Sequence, residues 1–271
     1  MGQVGNLRAD CLSAHFAPIP NRRAGYHPAP TARKPIISGS RARSRESFVR
    51  YNSSLIVTLT VNPALDRTLS VDRLAFEDRA YIESRHESPG GRGINAACVI
   101  HSFGGTPLAI FPSGGKNGKM FEELLCVYGY STVAVPAGHE IRTNITITDR
   151  QGLTVSVNER GPQLGKAEIE RLEKAVQKSL DGASWLMLCG SLPPGVPSNF
   201  YARLIGMARR KKVKTLLDTD GDALREGIEA APTAVSPNQH EAERLLNRAL
   251  LCARPNNIDH HRTPGGVCPS K

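Results

Sequence analysis

Four loops of this sequence carry the side chains that could do chemistry. Asn62-Pro63-Ala64-Leu65-Asp66 follows an apolar run, and so does Gly190-Ser191-Leu192-Pro193-Pro194-Gly195. Asp218-Thr219-Asp220-Gly221 and Ser236-Pro237-Asn238-Gln239-His240-Glu241 do the same. If those runs are parallel strands, all four loops emerge on one edge, the carboxyl edge where open parallel sheets bind ligands. Carboxylates and amides gathered there can accept from hydroxyl groups or hold a hard cation. A fifth stretch, Pro89-Gly90-Gly91-Arg92-Gly93-Ile94-Asn95, opens a helix. Glycines let a ligand approach that backbone, and a helix N-terminus favours anions. The spacing is neither that of a dinucleotide fingerprint nor that of a P-loop. Plain structural roles compete at each position. Asp66 suits a turn, Arg142 a solvated surface, and Asn238 with Glu241 the start of a helix.

The elements that must position these loops follow from periodicity. Leu55–Val61 is a continuous β-branched run, as in a strand buried on both faces of a parallel sheet. Leu69 and Val71, then Ile145 and Ile147, then Leu153, Val155 and Val157 alternate with polar neighbours. Asp149-Arg150-Gln151-Gly152 between the last two sets reads as a hairpin turn, so these strands form a small lid. From about residue 165, helix and strand alternate. Helices carry Ile169, Leu172, Val176 and Leu180, then Phe200 to Ala208 behind a Ser198 cap, then residues 222–228 and 239–251. Strands fall at 185–189, 213–217 and 233–235. Alternation of this kind predicts an α/β fold with a mostly parallel sheet.

The chain has 271 residues and a formal charge of +10, which raises the question of nucleic acid. The excess is local: residues 1–54 hold nine Arg and Lys against two acids. The rest is nearly balanced and has no basic stripe with interleaved aromatics, so no nucleic acid is expected as a partner. Residues 1–54 read as a disordered arm, a transit peptide or a leader from a start codon placed too far upstream. Residues 252–271 are poor in apolar side chains and read as an unstructured tail. The domain between them is expected at 55–251. No apolar run reaches the ~20 residues needed to cross a bilayer, so no membrane is expected. None of the six cysteines has zinc or redox spacing; Cys11 and Cys268 lie in the terminal arms, and the other four, Cys98, Cys126, Cys189 and Cys252, suit buried thiols in a reducing cytoplasm.

Taken in order, the five stretches resemble the PfkB (ribokinase-like) carbohydrate kinases, and among them the phosphofructokinase and tagatose-6-phosphate kinase branch. The resemblance covers residues 55–251. It implies a three-layer α/β/α fold with a β lid, ATP and Mg²⁺ as cofactors, and a hexose phosphate as substrate. Fructose 6-phosphate, fructose 1-phosphate and tagatose 6-phosphate all fit. Asp66 would bind sugar hydroxyls, and Gly91, Gly93 and Asn95 would floor the pocket. Arg92, where many relatives carry Lys, and Arg142 would meet the substrate phosphate, for which a bidentate guanidinium is well shaped. Arg142 and Asn144 match the family's lid Arg-x-Asn. Asn238 and Glu241 match its Asn-x-x-Glu, which positions Mg²⁺ through water. A homodimer through the lid is also implied.

The family's sheet continues into a Gly-Ala-Gly-Asp loop, whose amides cradle the transferring phosphoryl group and whose Asp is the base. The sequence contains no such loop. The expectation is an impaired kinase with the C-terminal part of the sheet missing and no catalytic base; the alternative is a non-catalytic protein that binds a sugar phosphate or a partner.

Overall fold

Alternation along the central strands divides the hydrophobic residues between two faces of one sheet. The computed structural model describes residues 54–75 and 77–248, all within a single unit. β1 (Leu55–Thr60) sends Val57 and Leu59 to one side and Ile56, Thr58 and Thr60 to the other. β4 (Thr106–Ser113) likewise sends Ile110 to the first side and Ala109 and Phe111 to the second. With β5 (Ser131–Pro136), β8 (Ala183–Cys189), β9 (Lys214–Asp218) and β10 (Ala234–Val235) they form a sheet ordered β10-β9-β8-β1-β4-β5, parallel throughout.

The larger core joins this sheet to α3 (Lys166–Ser179), α4 (Phe200–Arg210) and α5 (Gly221–Glu229). Leu172, Val176, Phe200, Leu204, Ile205 and Leu224 meet Leu186, Leu188 and Leu217 there. The smaller core lies on the opposite face under α1 (Arg92–Ser102) and α2 (Gly115–Cys126), where Ile94, Ala97, Phe121 and Leu125 close over Ala109 and Phe111. This is the three-layer α/β/α arrangement that the sequence implies.

The lid is a second sheet, ordered β3-β2-β6-β7, of β2 (Ala64–Val71), β3 (Ile82–Gly90), β6 (Arg142–Asp149) and β7 (Thr154–Asn158). Its hairpin stands where expected. The buried Asp149 carboxylate accepts from the Gln151 and Leu153 amides at 2.9 Å each, which fixes the turn. One lid face is apolar, with Leu69, Ile147 and Val155 in register. The other is polar, with Asp66, Asn144 and Asn158 in register.

Several local expectations are corrected. Ser198 does not cap α4: Asn199 occupies the N-cap, without a side-chain cap bond, and the Pro197 carbonyl accepts from the Phe200 amide. α6 (Gln239–Leu246) stops short of residue 251, with Asn247 left-handed at φ 48°. Of the thiols expected inside, Cys189 is buried but Cys126 is exposed at the end of α2. The arm at 1–54, apart from Ser54, the tail at 252–271 and Cys252 lie outside the described residues. Among the described residues no helix is long and apolar enough to cross a membrane.

Candidate functional site

β1 runs through Asn62 and Pro63 directly into the lid strand β2, so Asp66 stands at the root of the lid beside the sheet's carboxyl edge. Asn144 on β6 pairs with Asp66 in parallel register, and its side-chain amide donates to Asp66 Oδ1 at 2.8 Å. A Cβ at Gly90 would fall on the Asp66 carboxylate, so glycine there leaves the carboxylate its room. Burial pushes the Asp66 carboxyl above its ordinary value, against the opposing pull of the Asn144 bond and of the Arg142 charge.

Arg142 opens β6, level with Ala64. Its Nη1 donates to the Glu159 carbonyl at 2.7 Å. Burial draws its pKa down, although Asp66 and Glu159 favour its charge. An open cleft of about 520 Å³ lies beside it, walled by Asn158, Glu159 and Arg160 and by the loop Ser191–Val196. Asn62 ties these walls together: its amide donates to the Arg160 carbonyl at 3.0 Å and to Ser191 Oγ at 3.3 Å. Three buried polar atoms here have no partner: Arg142 Nε, Asn144 Oδ1 and Asn62 Oδ1. Unsatisfied buried polar atoms are costly, and their gathering beside a cleft fits a ligand rich in hydroxyls and negative charge.

The loop after β8 is held from below. The Tyr201 hydroxyl and Thr219 Oγ1 both donate to the Gly190 carbonyl at 2.9 Å, and the Gly190 amide donates to the Asp218 carbonyl at 2.7 Å. Both hydroxyls are buried, so Ser191 leaves a fixed corner.

The expected residues fall into two groups. Asp66, Asn144 and Arg142 come together with Gly90 and Gly91 at the lid root. Arg92 does not join them. Its guanidinium reaches Asp218 at 3.2 Å, Asp220 at 2.9 Å and Glu241 at 3.5 Å. Burial alone would lower its pKa, but these three carboxylates together raise it. In this arrangement Arg92 ties the start of α1 to the loop after β9 and to α6, and its charge is already compensated. Asn238 and Glu241 form a reciprocal cap at the start of α6. Asn238 Oδ1 accepts from the Glu241 amide, and Glu241 Oε2 accepts from the Asn238 amide, each at 2.9 Å.

Gly91 has φ 128°, a conformation open to glycine, and Gly93 packs α1 directly onto Thr60 and the Leu59 carbonyl. Asn95 is exposed on the first turn of α1. Sequence reasoning assigned no role to Asn62, Ser191, Asp218 or Asp220, although all four lie inside the quoted loops. Their position beside Pro, Gly or a second acid at a strand end was the available signal.

The description "pfkB family carbohydrate kinase" matches residues 59–261. The ATP-dependent 6-phosphofructokinase isozyme 2 of Mycobacterium tuberculosis is 34% identical over 171 residues, which is 63% of this chain and 50% of that protein. The 1-phosphofructokinase of Xanthomonas campestris is 33% identical over 199 residues, 72% of this chain and 63% of that one. Phosphofructokinase-2 from Escherichia coli, in complex with fructose-6-phosphate, superposes with a TM-score of 0.69 at 32% identity, covering 75% of this chain and 67% of that one. The chain thus spans half to two thirds of the length of these relatives. It belongs to the pfkB family of carbohydrate kinases.

Proposed function

We propose that the lid-root site binds a hexose phosphate as the acceptor half of an ATP-dependent kinase. The observation that carries this reading is the grouping of Asp66, Asn144 and Arg142, with unpartnered polar atoms, beside the open cleft. Asp66 accepts from two sugar hydroxyls, and Asn144 holds its carboxylate in place. Arg142 takes the phosphate from its side of the cleft, where Ser191, held from behind by Asn62, completes the wall. Fructose 6-phosphate, fructose 1-phosphate and tagatose 6-phosphate all offer that pattern of hydroxyls and one dianion. The relatives act on, or are seen with, fructose phosphates, which supports the class.

ATP would enter along the same sheet edge, with Mg²⁺ near Asn238 and Glu241. Among the described residues no three acids, histidines or cysteines are arranged to ligate a metal directly. Both residues are engaged in the helix cap, and Glu241 also faces Arg92. The set therefore fits an ion held through water. Bound there, the ion would offset phosphate charge. Arg92, itself held by Asp218 and Asp220, keeps Glu241 in place.

The test pairs calorimetry with an assay of sugar-stimulated ADP release, using the whole chain, Mg-ATP and each of the three sugar phosphates. We expect saturable sugar-phosphate binding and little turnover, because the sequence holds no Gly-Ala-Gly-Asp loop. Arg142→Ala should weaken binding about 10- to 100-fold, the usual worth of a charge-assisted bond to phosphate. Failure of all three sugar phosphates to bind would sink the reading.

The lid also supports self-association. Ile82, Val155 and Val157 are 60%, 41% and 57% exposed on or beside its apolar face, enough to attract a matching surface. A homodimer through this face should appear by light scattering, and Val157→Lys should shift the mass to that of a single chain. An unchanged mass for both would remove the proposal.

A further inference from the structure

Arg142 meets the cleft with a guanidinium that has few bonds of its own. Among the described residues its Nη1 donates to the Glu159 carbonyl, and its buried Nε has no acceptor. Its aim is therefore set chiefly by the backbone on which it stands. That backbone is clamped on both sides. The Asn117 side-chain amide donates to the carbonyl of the preceding residue, Ile141, at 3.0 Å. The same amide donates to the hydroxyl of the following residue, Thr143, at 3.2 Å. The Thr143 amide in turn donates to Glu159 Oε2 at 2.9 Å. Ile141 and Thr143 are both buried, so loss of Asn117 would leave their oxygens short of a partner.

The two ends of this clamp belong to different parts of the fold. Asn117 lies in the first turn of α2, which packs on the body, and residues 141–143 lead into β6 of the lid. The start of α2 is pressed against the same stretch of chain. A Cβ at Gly114 would strike the Ala137 and His139 carbonyls, so glycine there admits the close approach. The Lys116 and Asn117 amides both donate to Glu140 Oε1 at 3.1 Å, and the Gly114 carbonyl accepts from the Ile141 amide at 3.3 Å. Glu140 thus serves helix-start amides that have no partner inside the helix. The Asn117 side chain does nothing of that kind. Gly114 is the N-cap of α2, and Asn117 turns away from its own helix to the two residues that flank Arg142. Asparagine is also a weaker helix former than alanine, so the helix alone does not account for it.

We infer that Asn117 is a positioning residue for Arg142. It bonds the residues on either side of Arg142 to the body and so fixes the direction from which the guanidinium meets the substrate phosphate. Its effect on binding rests on the proposed phosphate role of Arg142; its effect on the Arg142 side chain does not.

The test uses the whole chain with Asn117→Ala, which removes both bonds and improves helix propensity, and Thr143→Val, which removes one acceptor and keeps the shape. Calorimetry with fructose 6-phosphate should show binding weakened about 5- to 10-fold by Asn117→Ala and about 2- to 3-fold by Thr143→Val. Adding Asn117→Ala to Arg142→Ala should cost less than about twofold more, because no guanidinium is left to aim. A general loosening of the lid would instead cost as much in that background as in the native one. Side-chain NMR reads the clamp without any sugar. The Arg142 Nε proton is buried and so protected from exchange, and its signal is assigned by its loss from Arg142→Lys. Asn117→Ala should shift or broaden that signal and leave the Arg92 signal, held by three carboxylates, where it was. An Arg142 signal unmoved by Asn117→Ala, or a full further loss of binding in the double variant, would overturn the inference. If the native chain binds no fructose 6-phosphate, the proposed site fails and the Arg142 signal alone decides for or against Asn117.

Discussion

Asp66→Ala should lower sugar-phosphate affinity about 100-fold or more, while Asp66→Asn should leave the protein at least as stable as the native chain at neutral pH. The first effect follows from losing a half-buried carboxylate proposed to accept two hydroxyls, each charge-assisted bond being worth about 1.5–3 kcal/mol. The second follows from the cost of keeping that carboxylate charged. Burial raises the Asp66 pKa above its ordinary value of 3.8, so the folded chain holds this proton to higher pH than the unfolded chain does. Where the folded state binds the extra proton, stability falls as pH rises. The contribution is fully present below the ordinary value and lost as pH climbs through the raised one. An asparagine at 66 never ionises, and its carbonyl can still accept from Asn144. Thermal melts at a series of pH values should show a flatter profile just above pH 3.8 for Asp66→Asn than for the native chain. A lower melting temperature for Asp66→Asn at neutral pH would show that the ionised carboxylate stabilises the lid root.

Gly93→Ala should cost about 1–3 kcal/mol of stability, the range for overpacking a closed contact. A Cβ at Gly93 would strike Thr60 Oγ1 and stand 2.9 Å from the Leu59 carbonyl oxygen. One of those partners is backbone in the central strand, so α1 itself would have to rise. Alanine's better helix propensity returns under 1 kcal/mol and does not cancel the clash. Lifting α1 would also disturb Gly91, which needs φ 128°, and Arg92 with its three carboxylates. Denaturant titration reads the first effect, and an unchanged midpoint would mean that the helix start has slack. Sugar-phosphate calorimetry on the same variant would show whether the floor of the pocket moves with the helix.

The sequence announced the parts of the fold whose side chains obey one period. β1 is β-branched and buried on both faces, and α3 to α5 carry clean apolar stripes, so their positions were legible. Residues 82–90 and 106–136, on either side of α1, were not. β3 is written Ile-Glu-Ser-Arg-His-Glu-Ser-Pro-Gly and is exposed over its first five residues, so no buried face marks it. β4 has prolines at 107 and 112, which ordinarily argue against a central strand. α2 begins Gly-Lys-Asn-Gly, with weak helix formers at the start of its apolar stripe. At the site, Asp66 was picked out by its strand end, and Arg142 and Asn144 by their resemblance to the family's lid Arg-x-Asn. The placement of Arg92 was not. Only the folded arrangement brings Asp218, Asp220 and Glu241 round one guanidinium from 126 or more positions along the chain.

The way the lid joins the body makes it a lever with a short inner arm. Its four chain connections to the body, Pro63 before β2, Gly91 after β3, Ile141 before β6 and Glu159 after β7, all lie at the lid root. At about 3.3 Å per residue, Asp66 lies about 7 Å along β2 from Ala64 at that root and Val71 about 23 Å. A swing of the lid that carries its tip through 3 to 4 Å moves Asp66 by about 1 Å. The outer lid can therefore rearrange widely around a neighbour while the hydroxyl-binding carboxylate stays almost where β1 puts it.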